Sequence, residues 1–170
     1  MNESLKLALC EMQAQLFAES KDKGYASEAF IKAFMNSDIA EDLDMPFHHM
    51  QWAGTHYLLS RMEEDCADSL IPGENYDTET LYWAGYLYRY WHIYTGESSR
   101  EIYKQAPAKT IRIVYLMYHT MSPEMAIDRL KESYLKKHKK SSLRQLTFKP
   151  SIDLKISRGF LFAKLLYGVL

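Results

Sequence analysis

The chain has little of what usually announces an activity. It holds two cysteines, Cys10 and Cys66, and neither belongs to a Cys-x-x-Cys pair. That excludes a zinc ribbon, a thioredoxin-type motif and a disulfide framework. Chain breakers are scarce, with 7 Gly and 5 Pro in 170 residues, which argues against a loop-rich or disordered chain. No glycine-rich phosphate loop, Gly-x-Ser-x-Gly elbow or His-Glu-x-x-His pair occurs. The backbone nest that cradles phosphates, the strained nucleophile turn and the helical zinc pair therefore have no residues to build them. No apolar run approaches the ~20 residues of a membrane span, and the opening Met-Asn-Glu-Ser-Leu-Lys does not read as a signal peptide. The expectation is a cytoplasmic protein with reduced thiols and no metal or cofactor.

What is present fits a globular domain with its own core. Apolar residues make up 47% and charged residues 25%, close to ordinary usage for folded chains. Aromatics are abundant at 14%, and 13 of them are tyrosines. Tyrosine suits positions that are half apolar and half wet, so the excess points to grooves or interfaces, or else to core rings with satisfied hydroxyls. The net charge of −1 hides a division. Residues 1–96 carry 6 Lys and Arg against 16 Asp and Glu, and residues 97–170 carry 15 against 6. Either the two halves complement each other, within one fold or between protomers, or the basic side meets an external anionic partner such as nucleic acid.

Periodicity predicts a mainly α protein, a compact multi-helix bundle around a central aromatic helix. Leu5, Leu9, Met12 and Leu16 recur at helical spacing, and Gly24 ends that helix. Ser27 is placed to cap a second helix carrying Phe30, Ile31, Phe34 and Met35. After an acidic piece at 37–44, Pro46 favours a helix start, with the helix running to about Cys66. Residues 71–75 form a loop. The clearest element is the helix at 78–94, with Asp77 as its cap and Gly96 as its stop. Its sequence is apolar or aromatic nearly all round, which marks a helix central to the fold. Ser98-Ser-Arg-Glu101 is a capping box, Pro107 starts a further helix, and Ser122-Pro123 starts another that reaches about Tyr134. The expected domain covers residues 1–135. A basic and apolar extension, 136–170, follows it, with a solvated Lys-Lys-His-Lys-Lys run, a short β-hairpin across Pro150 and a last short helix from Phe160.

Three groups of residues are candidates for chemistry. Tyr82, Tyr86, Tyr90 and Tyr94 form an i, i+4 phenol stripe which, with Arg89 and His92, has the components of a binding groove for an anion or a base. The alternative is that the rings build the core. Residues 98–118 outline a helix pair whose second helix carries Lys109 and Arg112, types that contact phosphates or base edges. His49, His56 and Glu63 recur every seven residues and share a helix face. Seven residues is about 10.5 Å along a helix, too far for one compact metal or proton-transfer site.

Two stretches resemble a group of small bacterial proteins associated with toxin–antitoxin-like loci. One is Met50-Gln-Trp-Ala-Gly-Thr-His-Tyr-Leu-Leu. The other runs from Leu81-Tyr-Trp-Ala-Gly-Tyr-Leu-Tyr-Arg-Tyr-Trp, through Ser99-Arg-Glu-Ile-Tyr103, to Tyr118-His-Thr-Met-Ser-Pro-Glu-Met-Ala-Ile-Asp128. The resemblance covers residues 27–130 and implies a regulatory or neutralising partner protein. It transfers no catalytic motif, and the basic residues from Lys131 onward fall outside it. Three functions are therefore expected in order. The first is a non-enzymatic protein-interaction module, antitoxin-like or accessory, that binds a protein partner or itself. The second is a helical DNA-binding regulator using residues 98–118. The third is an enzyme with an unrecognised site around His49, His56, Arg89 and His92.

Overall fold

Local chemistry sets most helix boundaries. The computed structural model describes residues 3–46 and 48–147, with side chains through residue 140. Among the described residues eight α-helices follow one another: α1 (Glu3–Ser20), α2 (Ser27–Asn36), α3 (Asp38–Asp44), α4 (Thr55–Asp65), α5 (Thr78–Thr95), α6 (Ser99–Gln105), α7 (Ala108–Tyr118) and α8 (Pro123–Thr147). No strand occurs among the described residues. Gly24 closes the 3₁₀ turn Lys21–Lys23 that follows α1, and Gly96 closes α5, both in the left-handed region at φ of 74° and 75°, where a side chain would be strained. Ser98 and Glu101 form the reciprocal capping box of α6, and Pro107 precedes α7.

The chain divides into two units, Met1–Leu135 and Lys136–Leu170. The first is a compact helical bundle. Its core is built where α1, α2 and α5 meet around Phe17. That ring lies edge-on to Phe30 at 5.7 Å and to Phe34 at 5.2 Å, the geometry favoured by ring quadrupoles. Tyr88 joins the cluster from α5 and donates its hydroxyl proton to the Ala106 carbonyl at 2.6 Å, so a buried phenol is satisfied at the end of α6. The α1–α5 pair is the principal contact of the bundle, and Gly85 makes it close. A Cβ built on Gly85 would stand 2.4 Å from the Gln13 carbonyl oxygen and 2.8 Å from Ala14 Cα. A glycine inside a helix weakens it by up to ~1 kcal/mol relative to alanine; here it lets two backbones touch.

Several expectations change. The helix expected from Pro46 to Cys66 is two pieces, because Ala53 and Gly54 adopt extended backbone between a short 3₁₀ turn at His49–Trp52 and α4. The seven-residue register of His49 with His56 and Glu63 is therefore broken. The acidic piece at 37–44 is itself helical, capped by Ser37, whose hydroxyl oxygen accepts from the Ala40 N–H at 3.2 Å. Ser27 does not cap α2. It is the first residue of that helix, and its hydroxyl accepts the Tyr76 N–H at 2.9 Å. The Ile71 and Glu74 carbonyls accept the N–H groups of Ala26 and Ser27, so a distant loop supplies the end of α2. Finally, α8 continues past Tyr134 to Thr147, which places the basic run inside a helix, where residues 136–140 stand exposed. The expected hairpin and last helix fall mainly on residues 148–170 and lie outside the described residues.

Candidate functional site

The phenol stripe does not line an open groove with Arg89, because α1 lies along that side of α5. Tyr82 donates to Glu11 of α1, and Tyr90 donates to Glu124 of α8. Tyr86 and Tyr90 stack with centroids 6.1 Å apart. The hydrogen bonds to the two carboxylates, with burial, push both the Tyr82 and the Tyr90 phenols up to about 12. They are neutral donors at ordinary pH. Only Tyr94 of the four is exposed.

Arg89 of α5 is 1% exposed, and its guanidinium is held by residues of α1 and α3. Its Nε donates to Gln13 Oε1 at 2.8 Å, and Nη1 donates to Asp44 Oδ1 at 2.7 Å. Gln13 is the polar interruption in the apolar stripe of α1, and it exists to meet this guanidinium. Asp44, at the end of α3, also accepts the Ser99 N–H on Oδ2 and the Ser99 hydroxyl on Oδ1, at 2.7 and 2.8 Å. One carboxylate thus ties α3, α5 and the first turn of α6. Arg89 Nη2 and Gln13 Nε2 remain buried without a protein acceptor.

Asp44 and His92 line a cleft of about 480 Å³, together with Ser98, Ser99, Arg100 and Glu101. His92 Nδ1 lies 2.9 Å from the Glu97 carbonyl oxygen and 3.5 Å from Asp44 Oδ1. A carbonyl only accepts, so Nδ1 carries the proton and the lone pair of the neutral ring is on Nε2. The cleft still does not assemble a catalytic set. Both oxygens of Asp44 are occupied by Arg89 and Ser99, and Arg100 is held by Asp38 and Glu41 at 3.1 and 3.3 Å. Neighbouring Glu97 is occupied in the same way. Its carboxylate accepts from Trp91 Nε1, Thr95 Oγ1, Gln105 Nε2 and Lys131 Nζ at 2.7–3.0 Å. Burial opposes its charge, but these four donors prevail and hold the carboxyl down at about 2.

The remaining candidates are dispersed. His49 lines a separate cleft of about 710 Å³ with Tyr57, Arg61 and Cys66, His56 is exposed on α4, and Arg89 is buried. The residues of the enzyme reading therefore do not share a cleft. Burial pushes the Cys10 thiol up to about 12, with nearby Arg89 opposing, and burial also raises Cys66. Neither thiol has the lowered pKa of a nucleophile. Among the described residues no group of three or more His, Cys, Asp or Glu is placed to hold a metal ion. None of their helices is long and apolar enough to cross a membrane.

The helix pair at 98–118 exists as α6 and α7, and it carries a surface that its charges did not indicate. Arg112 is held by Glu74 at 2.6 Å and lies 4.7 Å over the Tyr76 ring. Lys109 stands exposed. Between them and the end of α7, the outward face is apolar: Ile113 is 64% exposed, Leu116 79% and Met117 58%. Ala108 and Ile111 are the only fully buried residues of this helix. Asp44, Gln13, Ser99, Glu97 and this outward trio are the residues that the sequence reading missed. A wheel centred on Ile111 would have found the trio, because Ile113 and Leu116 fall opposite it. No family model, curated protein or solved structure matches this chain.

Proposed function

We propose that this chain is a protein-interaction module that docks a partner through the outward face of α7. The observation that carries the reading is the contrast within that helix: its two fully buried residues oppose three large apolar side chains more than half exposed. Large apolar side chains clustered at i, i+3 and i+4 on one helix face are the anchors of helix-mediated recognition. Arg112 is drawn to the flank by Glu74 and Tyr76, so the middle of the face has no charge to desolvate. A regulatory or neutralising role toward that partner is the form of this reading that the resemblance implies.

The DNA-binding reading has less support. Two of the basic side chains at 98–118, Arg100 and Arg112, are already paired with carboxylates, and the outward face of the second helix offers apolar groups where phosphates and base edges need donors. A photo-crosslinking residue placed at 113 or 116, against a control at exposed Gln15 of α1, tests the docking proposal in the native host. Discrete adducts from α7 and none from α1 are expected. Equal labelling from both, or none from α7, would overturn it.

A further inference from the structure

We infer that the occupant of the α7 face is a second copy of this chain, its own α7 lying antiparallel across a two-fold axis. The inference rests on the docking reading above and names its partner. Lys109, Ile113 and Leu116 of α7 follow one another at spacings of four and three, the a/d spacing of a helix seam, with β-branched Ile113 and γ-branched Leu116 as its apolar pair. A two-fold interface must be self-complementary, each residue meeting the equivalent of its own contact. With the axis between Ile113 and Leu116, each Ile113 faces the Leu116 of the second copy, and the apolar centre closes on itself.

The ends of the stripe match as well. The last four carbonyls of a helix lack intrahelical partners. In α7 the carbonyls of Tyr115 and Tyr118 accept from the N–H groups of His119 and Met121, and those of Leu116 and Met117 are left at the negative end of the helix dipole. Antiparallel pairing brings the exposed ammonium of Lys109 over this end of the second copy. Parallel pairing would instead set Lys109 against Lys109. The Lys109 charge and the helix polarity therefore select the antiparallel orientation.

Sedimentation velocity of the full chain over a wide concentration range tests the inference. A reversible monomer–dimer equilibrium is expected. Leu116→Glu should weaken it by at least about a hundredfold, since it buries two unpaired carboxylates, and Lys109→Glu by about tenfold, with the effect shrinking as salt rises. Circular dichroism melts of dilute protein should show both variants folded, because both sites are exposed in the monomer. Register is read by mixing: Ile113→Cys and Leu116→Cys variants should form an interchain disulfide with each other faster than either forms with itself. A monomer at every concentration, a dimer indifferent to Leu116→Glu, or preferential self-linking of either cysteine variant would overturn the inference. If the chain stays monomeric while the probe at 116 still labels a different protein, self-pairing fails and the docking reading survives. If neither occurs, both fail.

Discussion

Helices α5 and α7 have similar compositions and opposite positions. Both are rich in tyrosine and aliphatic residues, and both begin after a clear start signal. Yet α5 buries eight residues, among them Arg89, whereas α7 buries two. The molecule thus holds a guanidinium in its interior and a leucine and two other large apolar groups on its surface. The difference shows that hydrophobicity alone did not place these helices. The polar partners did: Gln13 and Asp44 draw Arg89 inward, and Glu74 holds Arg112 to one flank of α7. Buried charges are tolerated only when paired, so the interior of α5 is closed to new partners. The outward face of α7 has no such closure.

The largest effect that would break this contrast lies at the ion pair. Asp44→Ala leaves Arg89 buried with its carboxylate gone and strips the Ser99 N–H and hydroxyl of their acceptor. A loss of about 3–5 kcal/mol is expected from urea unfolding. Arg89→Met should lose less, about 1–2 kcal/mol, because Asp44 keeps both Ser99 bonds and lies at the edge of the cleft. Equal losses would mean that the pair is not the organising contact between α3, α5 and α6.

Next in size is the close approach beneath α5. Gly85→Ala gains helix propensity but drives its Cβ into the backbone of α1, at 2.4 Å from the Gln13 oxygen. Overpacking against main chain exceeds the propensity gain of up to ~1 kcal/mol. A net loss of about 2 kcal/mol is expected in the same assay. A stabilised variant would show that α1 can move away from α5.

These two sites mark the boundary of what was legible. The mainly α class, the bounds of α5, the capping box of α6 and the starts of α7 and α8 rest on local signals, and each can be read from a few neighbouring residues. Arg89 sits in a visible apolar setting, but its partners lie 76 and 45 positions away, and no local rule connects them. Ser27 looked like a cap because the loop that displaces it is not adjacent in sequence. The break at Ala53 and Gly54 was missed because Pro46 is a strong start signal, while the extended backbone at 53–54 carries only one weak breaker. The α7 face was missed for a different reason: apolar spacing tells which residues share a face, not whether another element covers it.

A smaller effect separates the polar joint at the end of α5 from the bare end of α7. The Glu97 carboxyl is held at about 2, below its ordinary value of 4.5. A lowered folded value stabilises the fold above the unfolded one, so this contribution is complete above pH 4.5 and is lost as pH falls toward 2. Glu97→Gln should lower the stability at neutral pH and flatten the acid limb, with the two proteins converging as pH drops. Urea midpoints measured from neutral pH to about pH 3 check this. A constant gap across the series would show that Glu97 acts through packing rather than through its charge.

The smallest effect is the one that sharpens the comparison most. Leu116 is 79% exposed, so in the monomer Leu116→Ala removes few contacts, and the change in stability should stay within about 0.5 kcal/mol. That expectation holds for dilute protein. Anything that binds the folded chain alone adds to apparent stability by mass action. If a second copy covers α7, the wild-type midpoint should rise with protein concentration and that of Leu116→Ala should rise less. The gap between them would then open only as the protein is concentrated. A gap already present at high dilution would mean that Leu116 packs within its own chain, and the distinction between a closed α5 and an open α7 would fall.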